Sequence, residues 1–389
     1  MNRSHVFPLL ALTLLVGCDD ARSDEEPGTG AEAIVDVPQT PVETQAISNC
    51  WLYAHAAWAE SLYLQATGRK LDISESYWSY WHWLGQIVDG RDQIDPEGSW
   101  DTANRLIARY GLMQEANFIR ADANGGKSRA QSEALAALQA SLTSGALKTA
   151  AARRDRRLVR PELDRAWKLT SETRAMLDQV FGPGAERSFE SGATETGPVI
   201  HRADEIAAAY ARAPGAAPTN TTLARAISEW KKVRYEGSDR AFQIRVQRAL
   251  HDAQPVYLTW FVDGHALESG DGPLHGGFNM ETLRDQGPGR QGIHMSIIED
   301  YQAVLSDGTR LPVGKTLKPQ DPSAQRLLTR ALESGTRIEL FRIKNSWGTG
   351  GATAFVRGMP GYNDLYMNYL EGPVSGRRPL MSVMLPPGY

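Results

Sequence analysis

Cysteine is scarce: 389 residues hold two, Cys18 and Cys50, so no disulfide framework staples the chain unless these two pair. Metal-ligand spacing is missing too. The eight histidines are scattered, without Cys or carboxylate partners at ligand intervals, so no metal is expected. There is no glycine-rich phosphate loop and no internal repeat, and no cofactor is implied. Charge of either sign is not in excess: 42 Lys and Arg against 46 Asp and Glu leave −4. That argues against nucleic acid as a partner, because phosphate binding needs a concentrated basic surface. The local exception, Arg153, Arg154, Arg156 and Arg157, reads as the solvated face of a helix.

Long apolar runs are also lacking. The run from Val6 to Val16 is too short to span a bilayer and, following Arg3, reads as an export signal over residues 1–18. Its end, Leu15-Val16-Gly17-Cys18, resembles the lipobox of bacterial lipoproteins. That resemblance implies lipidation of Cys18 and anchoring at the bacterial envelope, facing the periplasm, with inner or outer membrane left open. Lipidation would leave Cys50 as the one thiol of the mature protein. Residues 19–43 are rich in Asp, Glu, Pro, Gly and Ala; such a segment cannot offset its ordering entropy by burial and is expected to be a flexible tether.

What the chain does have is a 41% hydrophobic content, enough for a sizeable core in two lobes or one elaborated domain. Ser48 and Asn49 are good N-cap types. Behind them Leu52, Ala54, Ala57, Trp58, Ser61 and Leu62 form a stripe at helical spacing that should run to about Gln65 and stop at Gly68. Cys50 then falls in the first turn, where the positive end of the helix dipole and unpaired N–H groups favour thiolate.

Downstream, Ser74 and Glu75 start a second helix whose Tyr77, Trp78 and Trp81 share one face and read as core. The Pro96 to Ser99 turn opens a third helix ending near Gly111. Residues 125–235 are Ala- and Arg-rich and are expected to be a helical insertion. Strands are expected at Pro255–Val262, His294–Tyr301, Arg337–Ile343 and Ala352–Arg357, with 263–291 as a long loop.

Attack by a cysteine on an acyl carbon needs a base, a group to hold that base's tautomer, and donors for the oxyanion. Those residue types occur in order. Gln45 precedes Cys50-Trp51, His294 heads a strand, and Asn345-Ser346-Trp347-Gly348 ends another. His265, in a glycine-rich loop, is a rival base.

These segments resemble the papain-like cysteine peptidases, and Ser74 to Trp83 and Pro96 to Gly111, with the insertion, are similar to the bleomycin hydrolase and aminopeptidase C branch. The resemblance implies an α+β fold, with a helical lobe, an antiparallel β-barrel lobe and a cleft between them, formed by residues 44–389. It implies that His294 pairs with Cys50, that the Asn345 carbonyl orients His294 and Trp347 shields that bond, and that Gln45 serves the oxyanion. Gln45 stands five residues before Cys50, one fewer than in the family. The implied activity is hydrolysis of a peptide or protein substrate through an acyl-enzyme. An amidase or transpeptidase acting on envelope peptides and a non-catalytic binding lipoprotein on a decayed peptidase fold are the alternatives. In that branch the C-terminus blocks the cleft; here the apolar Leu380 to Tyr389 tail would do so or form a final strand.

Overall fold

The stripe behind Cys50 becomes α1 (Cys50–Thr67), and Gly68 closes it at φ 67°, a left-handed conformation that glycine adopts without strain. The computed structural model describes residues 37–389 apart from 125, 195, 198, 238, 239, 319 and 352. The expected export signal, Cys18 and residues 19–36 of the tether lie outside the described residues. Residues 37–43 are not a tether: Val37, Gln39 and Thr40 are buried, because Thr40 donates to Glu60 and Lys344 donates to Thr40.

Around α1 the first lobe is helical. It contains α2 (Glu75–Val88), capped by the Ser74 hydroxyl, which accepts from Tyr77 N–H, and α3 (Trp100–Tyr110), capped likewise by Ser99. α4 (Glu115–Phe118), α5 (Arg129–Thr143), α6 (Ala150–Arg154), α7 (Arg156–Ala166) and α8 (Ser171–Phe181) complete it. The α2 aromatics Tyr77, Trp78, Tyr80, Trp81 and Trp83 are all buried in its core, where Trp81 stacks on Tyr110 at 4.0 Å. Burying rings of this size supplies about 1.5–3 kcal/mol each.

The insertion is helical in its first half and mixed strand and helix in its second. After α8 the chain forms β2 (Ile200–His201), which pairs with β1 (Leu112–Met113), and a hairpin of β3 (Ala207–Tyr210) and β4 (Thr219–Thr222). The threonine-rich strand and the turn residues Pro214 to Pro218 favour extended chain over helix. α9 (Leu223–Glu229) follows, and β5 (Lys231–Arg234) joins the main sheet.

That sheet is the second lobe. α10 (Arg240–His251) leads into β6 (Val256–Asp263), β7 (Gly277–Phe278), α11 (Met280–Gln286), β8 (Gln291–Val304) and β9 (Arg310–Leu311). α12 (Pro322–Ala331), β10 (Arg337–Lys344), β11 (Tyr362–Tyr366), α13 (Met367–Leu370) and β12 (Leu380–Leu385) complete the chain. The strand order is β5-β12-β6-β8-β10-β11-β7, with β9 beside β8. This is an open path rather than the expected closed barrel, and its pairings are antiparallel except β11 with β7. Closure would need β5 and β7, of four and two residues, to pair across the ends.

Two further expectations change. Residues 353–356 carry no strand, and the strand follows Gly361 as β11; the apolar Ala354 and Phe355 are buried in irregular chain. The 263–291 loop holds β7 and α11.

The tail does not enter the cleft with its end. β12 lies between β5 and β6, and Tyr389 is buried elsewhere, its hydroxyl donating to Asp252 at 2.5 Å.

Candidate active site

One face of β8 packs against α1, and this meeting of the two lobes brings Cys50 to Met295 and sets His294 beside the Asn345 segment. A cleft of about 790 Å³ opens there, lined by Gln45, Cys50, Trp51, His294, Met295 and Trp347 among others. Five of the six residues expected around the cleft, all but Asn345, therefore line one cavity, and Met295 joins them. Asn345 sits behind His294, with its Oδ1 2.8 Å from His294 Nε2.

The orientation of that amide is determined by its neighbours. Asn363 on β11 donates its two N–H groups to the Gly276 and Ala354 carbonyls, at 2.9 and 3.0 Å, so its oxygen must face Asn345 Nδ2, 2.9 Å away. The Ser346 N–H also donates to Asn345 Oδ1 at 2.8 Å. Asn345 thus presents an acceptor to His294, Nε2 carries the proton, and Nδ1 keeps its lone pair. Trp347 covers the ring at 4.9 Å, and Trp260 meets it edge-on at 5.6 Å.

α1 begins at Cys50 with Asn49 as its N-cap residue, but the Asn49 side chain makes no cap bond. It cross-links the lobe instead, donating to Ser79 and Gln131 at 3.2 and 3.0 Å. The first turn's N–H groups therefore receive no capping bond from that side chain, and Leu52 N–H donates to the Asn49 carbonyl at 2.9 Å instead. Trp51 is anchored by its indole N–H on the Pro96 carbonyl at 2.9 Å. A side chain at Gly98 would collide with its ring.

Gln45 is held by the asparagine segment: its N–H donates to the Ser346 carbonyl at 2.8 Å, and its Oε1 accepts from the Ser346 hydroxyl at 2.6 Å. One amide hydrogen goes to the Ile47 carbonyl at 2.8 Å, which leaves the second. Gly348 stands at φ 76° with its α-carbon against Thr44, so a β-carbon there would clash. The last residue of the Asn-Ser-Trp-Gly turn is thus what lets the 43–45 segment pair with it.

Electrostatics depart from the sequence expectation. Burial pushes the Cys50 thiol up to about 12, with the Met295 backbone N–H pulling the other way. Burial pushes His294 down to about 4, against the pull of Asn345. Both shifts favour thiol and neutral imidazole over thiolate and imidazolium at neutral pH. The Cys50 S–H lies against Met295 Sδ at 3.8 Å. The dipole of α1 does not compensate for the loss of water around a buried sulfur.

His265 is exposed, its Nδ1 on the Gly287 carbonyl at 3.0 Å, and it does not line the cleft.

No protein-family model and no curated protein matches the chain. The solved structures it is similar to include the following two. One is PepW from Lactobacillus rhamnosis, at 11% identity and TM-score 0.45, covering 92% of this chain and 82% of that one. Another is the Carica candamarcensis cysteine protease CMS1MS2 in complex with E-64, at 14% identity and TM-score 0.34, covering 91% of this chain and 97% of that one.

Sequence reading missed Asn363 and Met295, and also an acidic group under the site in which Glu60 is buried, Glu43 half-buried and Asp72 exposed. Glu43, Glu60 and Asp72 bring carboxylate oxygens within 4.8 Å of one another, with Glu75, Glu115 and Lys344 close by. These carboxylates are of the oxygen type that suits a hard cation, but Lys344 already supplies a positive charge there. Burial raises Glu60 to about 7, opposed by Lys344 and Thr40. Their spacing along the chain follows no ligand motif, so only folding assembles them.

Proposed function

We propose that the protein is a cysteine peptidase that hydrolyses peptide bonds through Cys50. The observation that carries this is the His294–Asn345 bond at 2.8 Å, with the asparagine's orientation enforced by Asn363. It leaves Nδ1 of a water-shielded imidazole as a base in the same cleft as the lone described thiol.

In this mechanism Nδ1 takes the Cys50 proton as Sγ attacks the peptide carbonyl, so the ions form only when the acyl carbon is there to receive the sulfur's electrons. The oxyanion meets the first N–H groups of α1 and the remaining Gln45 amide hydrogen. His294 then returns the proton to the leaving amine, and water, activated by the same nitrogen, hydrolyses the thioester. Trp347 and Trp260 keep water from the His294–Asn345 bond. The papain-like resemblance of the motifs supports this assignment, as does the two-lobed α+β arrangement. Export and lipid anchoring through Cys18, placing the site at the periplasmic side of the envelope, complete the proposal.

The test is cleavage of a peptide library read by mass spectrometry, with Cys50→Ala as control and an added amine as competing acceptor. Hydrolysed products that vanish in Cys50→Ala support the proposal. Amine-linked products would assign a transpeptidase, and turnover surviving in Cys50→Ala would remove the mechanism.

A further inference from the structure

The cleft's charge is opposite to the protein's. The whole chain carries −4, yet Lys232, Arg234 and Arg290 line the cleft against a single carboxylate, Glu97. All three cations are exposed, and none is in an ion pair among the described residues. Elsewhere on this surface arginines are commonly paired, as in Arg225 with Glu229 and Arg310 with Glu339. Unpaired cations gathered in a concave site raise the local concentration of anions.

Their placement follows from strand register. Arg234 pairs with Ser382, Ser382 with Thr259, and Thr259 with Met295, which touches Cys50. Lys232 lies two residues along the same strand, on the same face. At about 4.8 Å per strand, three steps put Arg234 roughly 14 Å from Met295 across the cleft floor. Arg290 is four residues before His294, about 13 Å along extended chain, and its carbonyl is tied to Gly264 N–H at 2.9 Å. A bound extended peptide advances about 3.3 Å per residue, so both distances correspond to about four residues from the scissile bond, or three where the long side chains reach back toward it.

We infer that the substrates are acidic peptides, with Asp or Glu side chains or an α-carboxylate three or four residues from the bond cleaved. This rests on the peptidase reading of the same cleft. Surface cations are screened by water, so three together set a preference of roughly tenfold rather than an absolute requirement.

The experiment measures binding apart from turnover. The full chain carrying Cys50→Ala is titrated with three uncleaved peptides identical except for Glu, Ala or Lys at the third and fourth positions on both sides of the centre. The Glu peptide should bind about tenfold tighter than the Ala peptide at low salt, lose that advantage at high salt, and bind more weakly than the Lys peptide when Lys232→Glu and Arg234→Glu are combined. Arg290→Glu, on a separate segment, should reduce the same ratio by itself. Equal affinity for the three peptides, or no binding of any, overturns the inference. So does a single-stranded oligonucleotide that binds as tightly as the Glu peptide and displaces it. Charge-dependent binding in Cys50→Ala without any cleavage by the unmodified protein would sink the peptidase reading and leave the anionic preference standing; cleavage indifferent to charge would do the reverse.

Discussion

The Asn363 side chain holds Asn345 at 2.9 Å, oxygen to amide, and through it decides which nitrogen of His294 carries the proton. Asn363 touches neither the thiol nor the cleft. Its own orientation is imposed by two backbone carbonyls, so the tautomer of His294 is ultimately set by the backbone of the Gly276 and Ala354 loops.

Asn363→Ala should therefore lower kcat about 10- to 100-fold, the range for outer partners that orient a functional histidine, with little change in KM. Nitrogen NMR of His294 should show the Nε2–H form giving way to a mixture. An unchanged tautomer with reduced kcat would mean that Asn363 acts through stability alone.

Cys50→Ala and His294→Ala should each reduce turnover by roughly 10⁴-fold or more, and the double variant should be no worse than either, because the two residues act as a unit. Asn345→Ala should cost less. Additive losses in the double variant would contradict a shared proton transfer.

The neutral resting pair has a direct readout. With the thiol pushed up to about 12 and the imidazole down to about 4, alkylation of Cys50 should be slow in mild acid and climb steadily with pH. His294→Ala should change labelling little in the acidic range. A fast plateau in mild acid, abolished in His294→Ala, would show a preformed ion pair instead.

His55 follows Cys50 by more than a helical turn and is buried among Trp58, Trp78, Trp100 and Tyr257, with no hydrogen-bond partner for either ring nitrogen among the described residues. Burial pushes it down to about 3 from 6.5. The unfolded chain takes up the proton first, so its contribution to stability is present above pH 6.5 and is lost as pH falls toward 3, by up to about 1.4 kcal/mol per pH unit. Glu60, raised to about 7 from 4.5, acts in the opposite sense, favouring the fold at low pH and losing that as pH rises to 7. Comparing His55→Leu with the parent isolates the histidine. The variant should gain about 1–3 kcal/mol at neutral pH by removing unsatisfied nitrogens, and its urea midpoint should fall less on acidification. A parallel pH profile would disprove the assignment.

The 37–43 segment should be needed for folding. A chain beginning at Val37 should unfold cooperatively like the parent. One beginning at Thr44 removes the Thr40 oxygens that accept from Lys344 at 2.8 and 3.1 Å and should lose several kcal/mol, as when one partner of a buried charge is deleted. Equal urea midpoints would return the segment to the role of tether.

Local signals were legible in the sequence wherever neighbouring residues alone decide the conformation. The α1 stripe, the Ser74 cap, the Pro96 to Ser99 turn into α3, Gly68 as helix stop, the β6, β8 and β10 strands, and the turn beginning at Asn345 all depend on contacts within a few positions. Such contacts leave a period or a cap in the chain. The tertiary structure decided everything that depends on which segments meet. It turned the Asn49 side chain from a cap into a cross-link and put strands into the second half of the insertion. It also left the sheet open, buried residues 37–43, and carried Tyr389 away from the cleft. Asn363, the acidic group under the site and the cations on β5 carry no local signature, because their partners lie tens to hundreds of residues away. The protonation state of Cys50 belongs to the same class: a helix N-terminus can be read from sequence, but the water removed from around the sulfur when the two lobes close cannot.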